Sequence, residues 1–230
     1  MTVVLGHGIY FPDPASASPD EPLAIGGDLS VPRLLAAYWR GIFPWTTRPV
    51  TWWSPDPRGI LELDRFHVSR SLARVLRQRP FEVTFDRAFP EVIAACAAPA
   101  PGRRRTWISG DFIAAYTRLF ENGHAHSVEC WQAGQLVGGV YGVQIGGLFA
   151  GESMFHRADN ASKLALFHLV ERLRENGFRL FDVQQVTPAT RQLGAVEISR
   201  HDYLLRLRKA VDKPTEFIAG RVRLCDGLPR

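Results

Sequence analysis

Lysine, methionine, cysteine and long apolar runs are all scarce in this chain of 230 residues. No uninterrupted apolar stretch approaches the roughly 20 residues that a membrane-spanning helix needs, and the N-terminus, MTVVLGHGIYFPDP, lacks the charged and apolar regions of an export signal. We therefore expect a cytoplasmic protein with no membrane partner. The three cysteines are far apart and form no CxxC pair, which argues against a metal site or a disulfide framework.

Arginine supplies almost all of the positive charge. The net charge is +5, and the only lysines are Lys163, Lys209 and Lys213. Because the planar guanidinium group matches the geometry of phosphate, the charge pattern favours an anionic polymer as a partner. A coding sequence rich in G and C would raise the arginine content equally without any ligand.

Proline, tryptophan and glycine concentrate in the first sixty residues. Ser30 and Gly41 bracket a short helix, LLAAYWR. The segment 41–59 that follows contains four prolines and three tryptophans, which excludes long regular structure there. We predict a small N-terminal lobe, residues 1–62, lying against a larger domain, residues 63–230.

The larger domain mixes helices with strands. Periodic apolar residues predict helices in SRSLARVLRQR, FPEVIAACA, FIAAYTRLFENG and SRHDYLLRLRKAV, and FEVTFD alternates like a strand. Three strand-like runs with short turns, HSVECW, QLVGGVYGVQ and GLFAGESMF, predict an antiparallel β-meander. Asn160 is expected to cap the helix that follows, and FRLFDVQ is the next predicted strand.

This order of elements predicts an α+β fold of the GCN5-related acyltransferase type, in which an acyl donor binds where two central strands splay apart. An acetyl-CoA enzyme of this type needs a glycine-rich loop to hold the pyrophosphate at a helix N-terminus. The corresponding segment here, MFHRADNASKLAL, contains no glycine. A donor other than acetyl-CoA is therefore favoured, and the arginine-rich surface suggests an RNA carrier.

The sequence resembles the bacterial leucyl/phenylalanyl-tRNA–protein transferases. The matching stretches occur in family order over roughly residues 10 to 210 and are AIGGDLSVPRLLAAYWRGIFPW, WWSPDPRG, TWI, AYTRLFENGHAHSVECW, LVGGVYGV, LFAGESMF, NASKLAL, FDVQ and LGAVEISRHDYL. The resemblance implies transfer of Leu or Phe, and less readily Met, from aminoacyl-tRNA to proteins that begin with Arg or Lys. It further implies that the product is degraded through the N-degron pathway and that no metal or organic cofactor is used. We expect a monomer.

Three polar residues are the candidate catalytic groups. Asp182 and Gln184 are two apart on the predicted strand FDVQ, so their side chains are expected to share one face. The resemblance makes them the catalytic pair, although an Asp and a Gln at a strand end equally suit backbone hydrogen bonding. Glu152 is expected to face the same cleft and to attract a cationic acceptor. Its alternative role is a salt bridge at the rim, to Arg157.

The resemblance also implies a hydrophobic pocket for the donated side chain, formed by Trp45, Val140, Leu169, Leu173 and Phe181. Any of these residues suits an ordinary core as well. The sequence departs from the family at Ala189, where relatives often carry a histidine.

Two groups of arginines form the candidate tRNA surface, and each of these side chains has the alternative of being simply a solvated charge. The arginines are Arg70, Arg74, Arg77 and Arg79 on a predicted helix, and Arg103, Arg104 and Arg105 in a loop.

Three other functions fit parts of this pattern. A tRNA-dependent transferase of the peptidoglycan-crosslinking kind has similar fold logic but uses a lysine side chain or a lipid-linked amine as its acceptor. A non-enzymatic RNA-binding module needs only the basic helices. An acetyl-CoA transferase fits the fold but not the segment without glycine.

Overall fold

The computed structural model describes residues 2–99 and 106–219. The strands in these ranges are β1 (Val3–Leu5), β2 (Ala24–Gly26), β3 (Phe43–Thr47), β4 (Val50–Trp53), β5 (Arg58–Leu61), β6 (Glu82–Phe85), β7 (Ala125–Gln132), β8 (Gln135–Ile145), β9 (Leu148–His156), β10 (Leu180–Gln184) and β11 (Ala195–Ile198). The α-helices are α1 (Val31–Trp39), α2 (Arg70–Gln78), α3 (Phe89–Ala97), α4 (Gly110–Glu121), α5 (Ala161–Glu175), α6 (Pro188–Gln192) and α7 (Arg200–Val211).

A small four-stranded sheet in the order β1-β2-β4-β3 forms the N-terminal part of the molecule. Trp52 of β4 is fully buried, and its ring makes a T-shaped contact with the Phe11 ring, at 4.8 Å between centroids. Helix α1 begins after Ser30 and ends before Gly41, whose φ of 75° suits glycine. The helix predicted from the sequence is confirmed, whereas the four short strands around the prolines were not predicted.

A seven-stranded sheet in the order β11-β5-β10-β9-β8-β7-β6 forms the centre of the larger part. Strands β7, β8 and β9 make the predicted antiparallel meander, and β9 pairs in parallel with β10. Strand β5, which precedes residue 62, pairs with both β10 and β11 and thus belongs to this sheet. The division into domains of residues 1–62 and 63–230 stays a prediction.

Helices cover both faces of the large sheet. On one face, α1, α3, α4 and α7 join the small sheet in a single apolar cluster, and on the other face α2 and α5 form a second cluster. Within the described ranges no helix has both the length and the apolar character to cross a membrane. The predicted cap of α5 is wrong in detail, because Asn160 has a φ of 65° and its side chain makes no capping hydrogen bond.

The two parallel strands at the centre of the large sheet separate partway along their length. Strands β9 and β10 are paired from Leu180 and Leu148 up to Asp182 and Ala150, and not beyond. After that point β9 stays paired with β8, and β10 stays paired with β5. The predicted α+β fold of the GCN5-related type is confirmed, and Glu152 on β9 and Gln184 on β10 each lie two residues past the last pair that joins these strands.

Candidate functional site

A cavity of about 240 Å³ opens where β9 and β10 separate. Its walls are mainly aromatic and apolar, and they carry the polar groups of Glu152 and Gln184. This combination of an apolar wall with a few convergent polar groups is typical of a binding or active site. The lining residues are Phe43, Pro44, Trp45, Trp107, Glu152, Val183, Gln184, Gln185 and Thr187.

The carboxylate of Glu152 receives hydrogen bonds from three side chains. The Tyr38 hydroxyl donates to Oε1 at 2.6 Å, and the Tyr116 hydroxyl donates to Oε2 at 3.2 Å. Nε2 of Gln184 donates to Oε1 at 3.2 Å, across the gap between the strands. The alternative salt bridge of Glu152 with Arg157 is wrong, because Arg157 donates to the carbonyl oxygen of Leu136 instead.

Burial raises the pKa of Glu152 to about 7. The nearby charge of Asp182 acts in the same direction, while the hydrogen bonds from Tyr38 and Tyr116 lower the pKa. Burial and the charge of Glu152 raise the pKa of both phenols well above the ordinary value, so they stay protonated donors. Glu152 is therefore a carboxylate that changes its charge near neutral pH, as a general acid or base must.

Asp182 lies behind the cavity, with none of its surface exposed. Arg58 donates to both of its carboxylate oxygens, from Nε at 2.9 Å and from Nη2 at 2.6 Å. The Tyr203 hydroxyl donates to Oδ2 at 2.9 Å. Since the guanidinium carbon of Arg58 also lies 4.9 Å from the centre of the Phe43 ring and 4.3 Å from that of Tyr203, this ion pair is enclosed by aromatic rings.

A bulge in β10 brings Gln184 towards Glu152. The pairing register with β5 shifts between Asp182 and Gln184, and Gln184 has a φ of 54°. A non-glycine residue in this region is strained, at a cost of about 1–3 kcal/mol unless its surroundings hold it there. The backbone N–H of Gln184 donates to Oδ1 of Asp182 at 2.9 Å. The simple alternation expected to align the two side chains is therefore interrupted, and Asp182 holds the bulge.

Gly59 makes room for this bulge. It pairs with Gln184, and a Cβ at Gly59 would lie 2.8 Å from the carbonyl carbon of Gln185. Because that neighbour is backbone and cannot turn away, any side chain at Gly59 would displace the cavity wall.

The structure brings some of the predicted site residues together and leaves others apart. Glu152, Gln184 and Trp45 line the cavity, and Asp182 supports it from behind. Val183 lines the cavity and also packs against the apolar cluster beneath α5. The other predicted pocket residues are buried in that cluster and do not line the cavity: Val140, Leu169, Leu173 and Phe181.

The predicted tRNA-contacting residues on α2 and at its end are all exposed. They are Arg70, Arg74, Arg77 and Arg79. Arg103, Arg104 and Arg105 lie outside the described residues. Ala189 lies exposed on α6.

Sequence reasoning missed five residues that build the site: Arg58, Tyr38, Tyr116, Tyr203 and Trp107. All five lie inside the stretches that carry the family resemblance, such as WWSPDPRG and TWI. The family resemblance could therefore have marked these residues as candidates. Their individual roles could be recognised only from the contacts in the folded structure.

A cavity where two central strands separate, lined by a carboxylate whose pKa is raised to about 7, is the arrangement expected of an acyltransferase of the predicted type. Residues 60–208 match the family model described as leucyl/phenylalanyl-tRNA protein transferase, and residues 27–56 match the model of its N-terminal domain. The chain belongs to the leucyl/phenylalanyl-tRNA–protein transferase family, whose members are aminoacyltransferases.

Relatives with the same name cover nearly the whole chain. The protein named leucyl/phenylalanyl-tRNA–protein transferase from Pseudoalteromonas atlantica is 52% identical over 216 residues, which is 92% of each chain. The protein of that name from Pseudomonas syringae pv. syringae is 50% identical over 220 residues, covering 94% of this chain and 96% of the relative.

Solved structures align more distantly. The structure described as L-PGS from Bacillus licheniformis has a TM-score of 0.41 at 12% identity, covering 70% of this chain and 51% of that chain. A ribosomal-protein-alanine N-acetyltransferase from Brucella melitensis biovar Abortus has a TM-score of 0.36 at 17% identity, covering 49% of this chain and 87% of that chain.

The raised pKa of Glu152 predicts how stability depends on pH. A carboxyl whose pKa is about 7 in the folded chain, against 4.5 ordinarily, binds its proton more tightly when folded. Its contribution to stability is therefore fully present below about pH 4.5 and is lost as the pH rises through about 7. We expect Glu152→Gln to be more stable than the wild type at pH 8, by about 1–3 kcal/mol, and this advantage to shrink towards zero at pH 5.

Urea unfolding of both proteins at the two pH values checks this expectation. Glu121→Gln is the control, because it removes the same charge from an exposed position on α4. A Glu152→Gln advantage that is equal at both pH values, or larger at pH 5, would show that Glu152 does not titrate as described.

Proposed function

We propose that this chain transfers Leu or Phe, and less readily Met, from aminoacyl-tRNA to the N-terminal amine of proteins that begin with Arg or Lys. It acts in the cytoplasm as a monomer, and its products are marked for degradation through the N-degron pathway. The observation that carries the proposal is the meeting of Glu152 and Gln184 in an aromatic-walled cavity at the splayed strands.

The reaction is aminolysis of an ester that is already activated. The enzyme has to present a neutral amine, stabilise a tetrahedral oxyanion and return a proton to the ribose oxygen of the tRNA. Glu152 and Gln184 are the catalytic side chains that face the reacting atoms, and Asp182 completes the group from behind. Because these are acid–base and positioning tasks, the proposal requires no metal and no organic cofactor.

The acceptor preference follows from the charge of the cavity. Glu152 is the acidic residue among those that line the cavity, and the other lining residues are mostly apolar. When it is ionised, it places a negative charge in the cavity. In such a partly desolvated site, two opposite charges about 4 Å apart attract by about 4 kcal/mol at an effective dielectric constant near 20. A protein that begins with Arg or Lys brings positive charge close to its terminal amine and is favoured for this reason.

The donor end is matched by rings and apolar side chains. Trp45 and Trp107 line the cavity, and such rings stack on unpaired bases with about 1–3 kcal/mol per base. In this proposal the donated side chain packs against Val183, and the apolar layer behind Val183 is formed by residues that are buried and do not line the cavity in this structure: Val140, Leu169, Leu173 and Phe181. Burial gains about 0.8 kcal/mol per methylene, which favours Leu or Phe over Ala.

The body of the tRNA lies along the arginines of α2. Arg70, Arg74 and Arg79 are exposed, and none of them pairs with a carboxylate among the described residues. Arg77 is exposed on the same helix. Contacts of this kind read the phosphate backbone, which suits an enzyme that accepts several leucine and phenylalanine tRNAs. Arg103, Arg104 and Arg105, which lie outside the described residues, belong to the same proposal.

A transfer assay tests the proposed function directly. Purified protein is mixed with radiolabelled Leu-, Phe-, Met- or Ala-tRNA and with peptides that begin with Arg, Lys or Glu. We expect label in the Arg and Lys peptides, in the order Leu or Phe, then Met, then Ala, and little label in the Glu peptide.

An N-acetylated Arg peptide with an internal lysine is the matched control. Since its terminal amine is blocked, it should stay unlabelled. Labelling of the internal lysine would favour the transferase of the peptidoglycan-crosslinking kind, and binding of aminoacyl-tRNA without any transfer would favour a non-enzymatic RNA-binding module.

The tRNA surface predicts a particular response to salt. Replacing both Arg70 and Arg74 with Gln should weaken tRNA binding and reduce the slope of log affinity against log salt by roughly one per arginine removed. Arg118→Gln is the control. Arg118 is exposed on α4, and α4 packs on the other face of the large sheet from α2, so this change should leave the slope unchanged. Equal slopes for all three proteins, measured by filter binding, would place the tRNA elsewhere.

A further inference from the structure

One carboxylate lines the cavity and a second lies behind it, and the structure gives them different surroundings. Asp182 is fully buried in an ion pair, whereas Glu152 lines the cavity. On the basis of the proposed function, we propose that Glu152 accepts the proton of the attacking amine, while Asp182, held by Arg58, is a positioning residue that fixes Gln184. Environments that separate two neighbouring acids in this way indicate which one moves the proton.

The contacts of Asp182 leave it no room to act as a base. Both of its oxygens accept N–H bonds from Arg58, and Oδ2 also accepts the Tyr203 hydroxyl. A proton on either oxygen would displace one of these donors and leave the charge of Arg58 buried without its partner, which costs several kcal/mol. None of the surface of Asp182 is exposed, and it is not among the residues that line the cavity.

Glu152 has the opposite arrangement. Its donors are neutral phenol and amide groups, which remain satisfied in either charge state, and its carboxylate borders the open cavity. An amine in the cavity thus has direct access to it. The titratable and charged groups that face Glu152 are Tyr38 from α1, Tyr116 from α4, Tyr141 from β8, Asp182 from β10 and Arg58 from β5.

Arg58 acts on the reaction through a chain of contacts. It fixes the two oxygens of Asp182, and Oδ1 of Asp182 accepts the backbone N–H of Gln184. That bond holds Gln184 in its left-handed conformation, from which Nε2 reaches Glu152. Arg58 and Asp182 are both buried and are not among the residues that line the cavity, so both are positioning residues.

The step balances as a single proton transfer between nitrogen and oxygen. The terminal amine attacks the ester carbon of the aminoacyl-tRNA, so that a C–N bond forms and the carbonyl becomes an oxyanion. Glu152 takes one proton from the attacking nitrogen. When the oxyanion collapses, the C–O bond to the ribose breaks, and the same proton goes from Glu152 to the ribose oxygen.

The test compares Glu152→Gln with the neutral pair Arg58→Gln/Asp182→Asn. The double change removes both charges together and avoids leaving either one buried alone. It also removes two opposing effects on Glu152, because Asp182 raises the pKa of Glu152 and Arg58 lowers it. Single-turnover transfer of Leu to a saturating Arg peptide is measured from pH 5.5 to 9. Each variant rate is divided by the wild-type rate at the same pH. Because the acceptor amine titrates in the same way in both assays, its pH dependence drops out of this ratio.

We expect Glu152→Gln to reduce the rate by roughly 100-fold or more above pH 8. Its ratio should fall as the pH rises through the pKa of Glu152, which is about 7 in the free chain and is lowered by the cation of the bound peptide. The neutral pair should be slower by roughly 10- to 100-fold, because Gln184 loses its support. Its ratio should be constant above about pH 8, where Glu152 is ionised in both proteins. A pH-independent ratio for Glu152→Gln together with a falling ratio for the neutral pair would assign the proton to Asp182 and overturn the proposal.

Tyr38→Phe provides a second readout that a purely structural role would not produce. The hydrogen bond from Tyr38 lowers the pKa of Glu152, so its removal should move the midpoint of the wild-type pH profile upwards. An unmoved or lowered midpoint would contradict the proposal, and this variant keeps the test decisive if the neutral pair does not fold. If the wild type transfers nothing at any pH, the proposed function itself fails, which is distinct from transfer that occurs with the wrong pH dependence.

Discussion

A buried ion pair between Arg58 and Asp182 connects the elements on which the cavity depends. Arg58 comes from β5 and Asp182 from β10, and Tyr203 of α7 donates to the same carboxylate. Nη1 of Arg58 also donates to the carbonyl oxygen of Gly41, at the end of α1. Because a buried charge without its partner costs several kcal/mol, these four elements are held in one fixed arrangement.

That arrangement places the reactive carboxylate. Asp182 accepts the backbone N–H of Gln184 and so holds the bulge in β10. From this bulge the side chain of Gln184 reaches Glu152 across the gap between the strands. Tyr38 and Tyr116 approach from the other side, on α1 and α4. The N-terminal part supplies Tyr38 and Trp45 and is thus a wall of the site, in addition to its packing against the larger sheet. The same burial that holds the phenols in place raises the pKa of Glu152 to about 7.

Regular elements were predictable from the sequence because their signals are local. The periodicity of FIAAYTRLF and the turns of the meander lie within a few residues of each other, and both predictions were confirmed. Strands β5 (RGIL) and β11 (AVEI) were missed, since neither shows the polar–apolar alternation that predicted β6 from FEVTFD, and each gains its place by pairing with distant segments. The bulge at Gln184 was also missed, because it depends on a hydrogen bond from its backbone to a buried carboxylate.

The candidate site was predictable only in part. The motif stretches pointed to Glu152, Asp182 and Gln184, which the structure does place in one hydrogen-bonded group. Alternation along a strand suggested similar roles for Asp182 and Gln184, whereas the structure encloses the first and exposes the second to the cavity. The partner that makes this difference, Arg58, is 124 residues from Asp182 along the chain, so no local pattern could connect them.

The geometry of the site depends most on the coupling between Arg58 and Asp182, and a double-mutant cycle measures this coupling. Arg58→Gln, Asp182→Asn and the double variant are compared with the wild type by urea unfolding at pH 7. Each single change should lower the free energy of unfolding by about 3–5 kcal/mol, and the double change should cost at least about 2 kcal/mol less than the sum of the two. Costs that add to within about 0.5 kcal/mol would contradict the claim that this pair holds the site together.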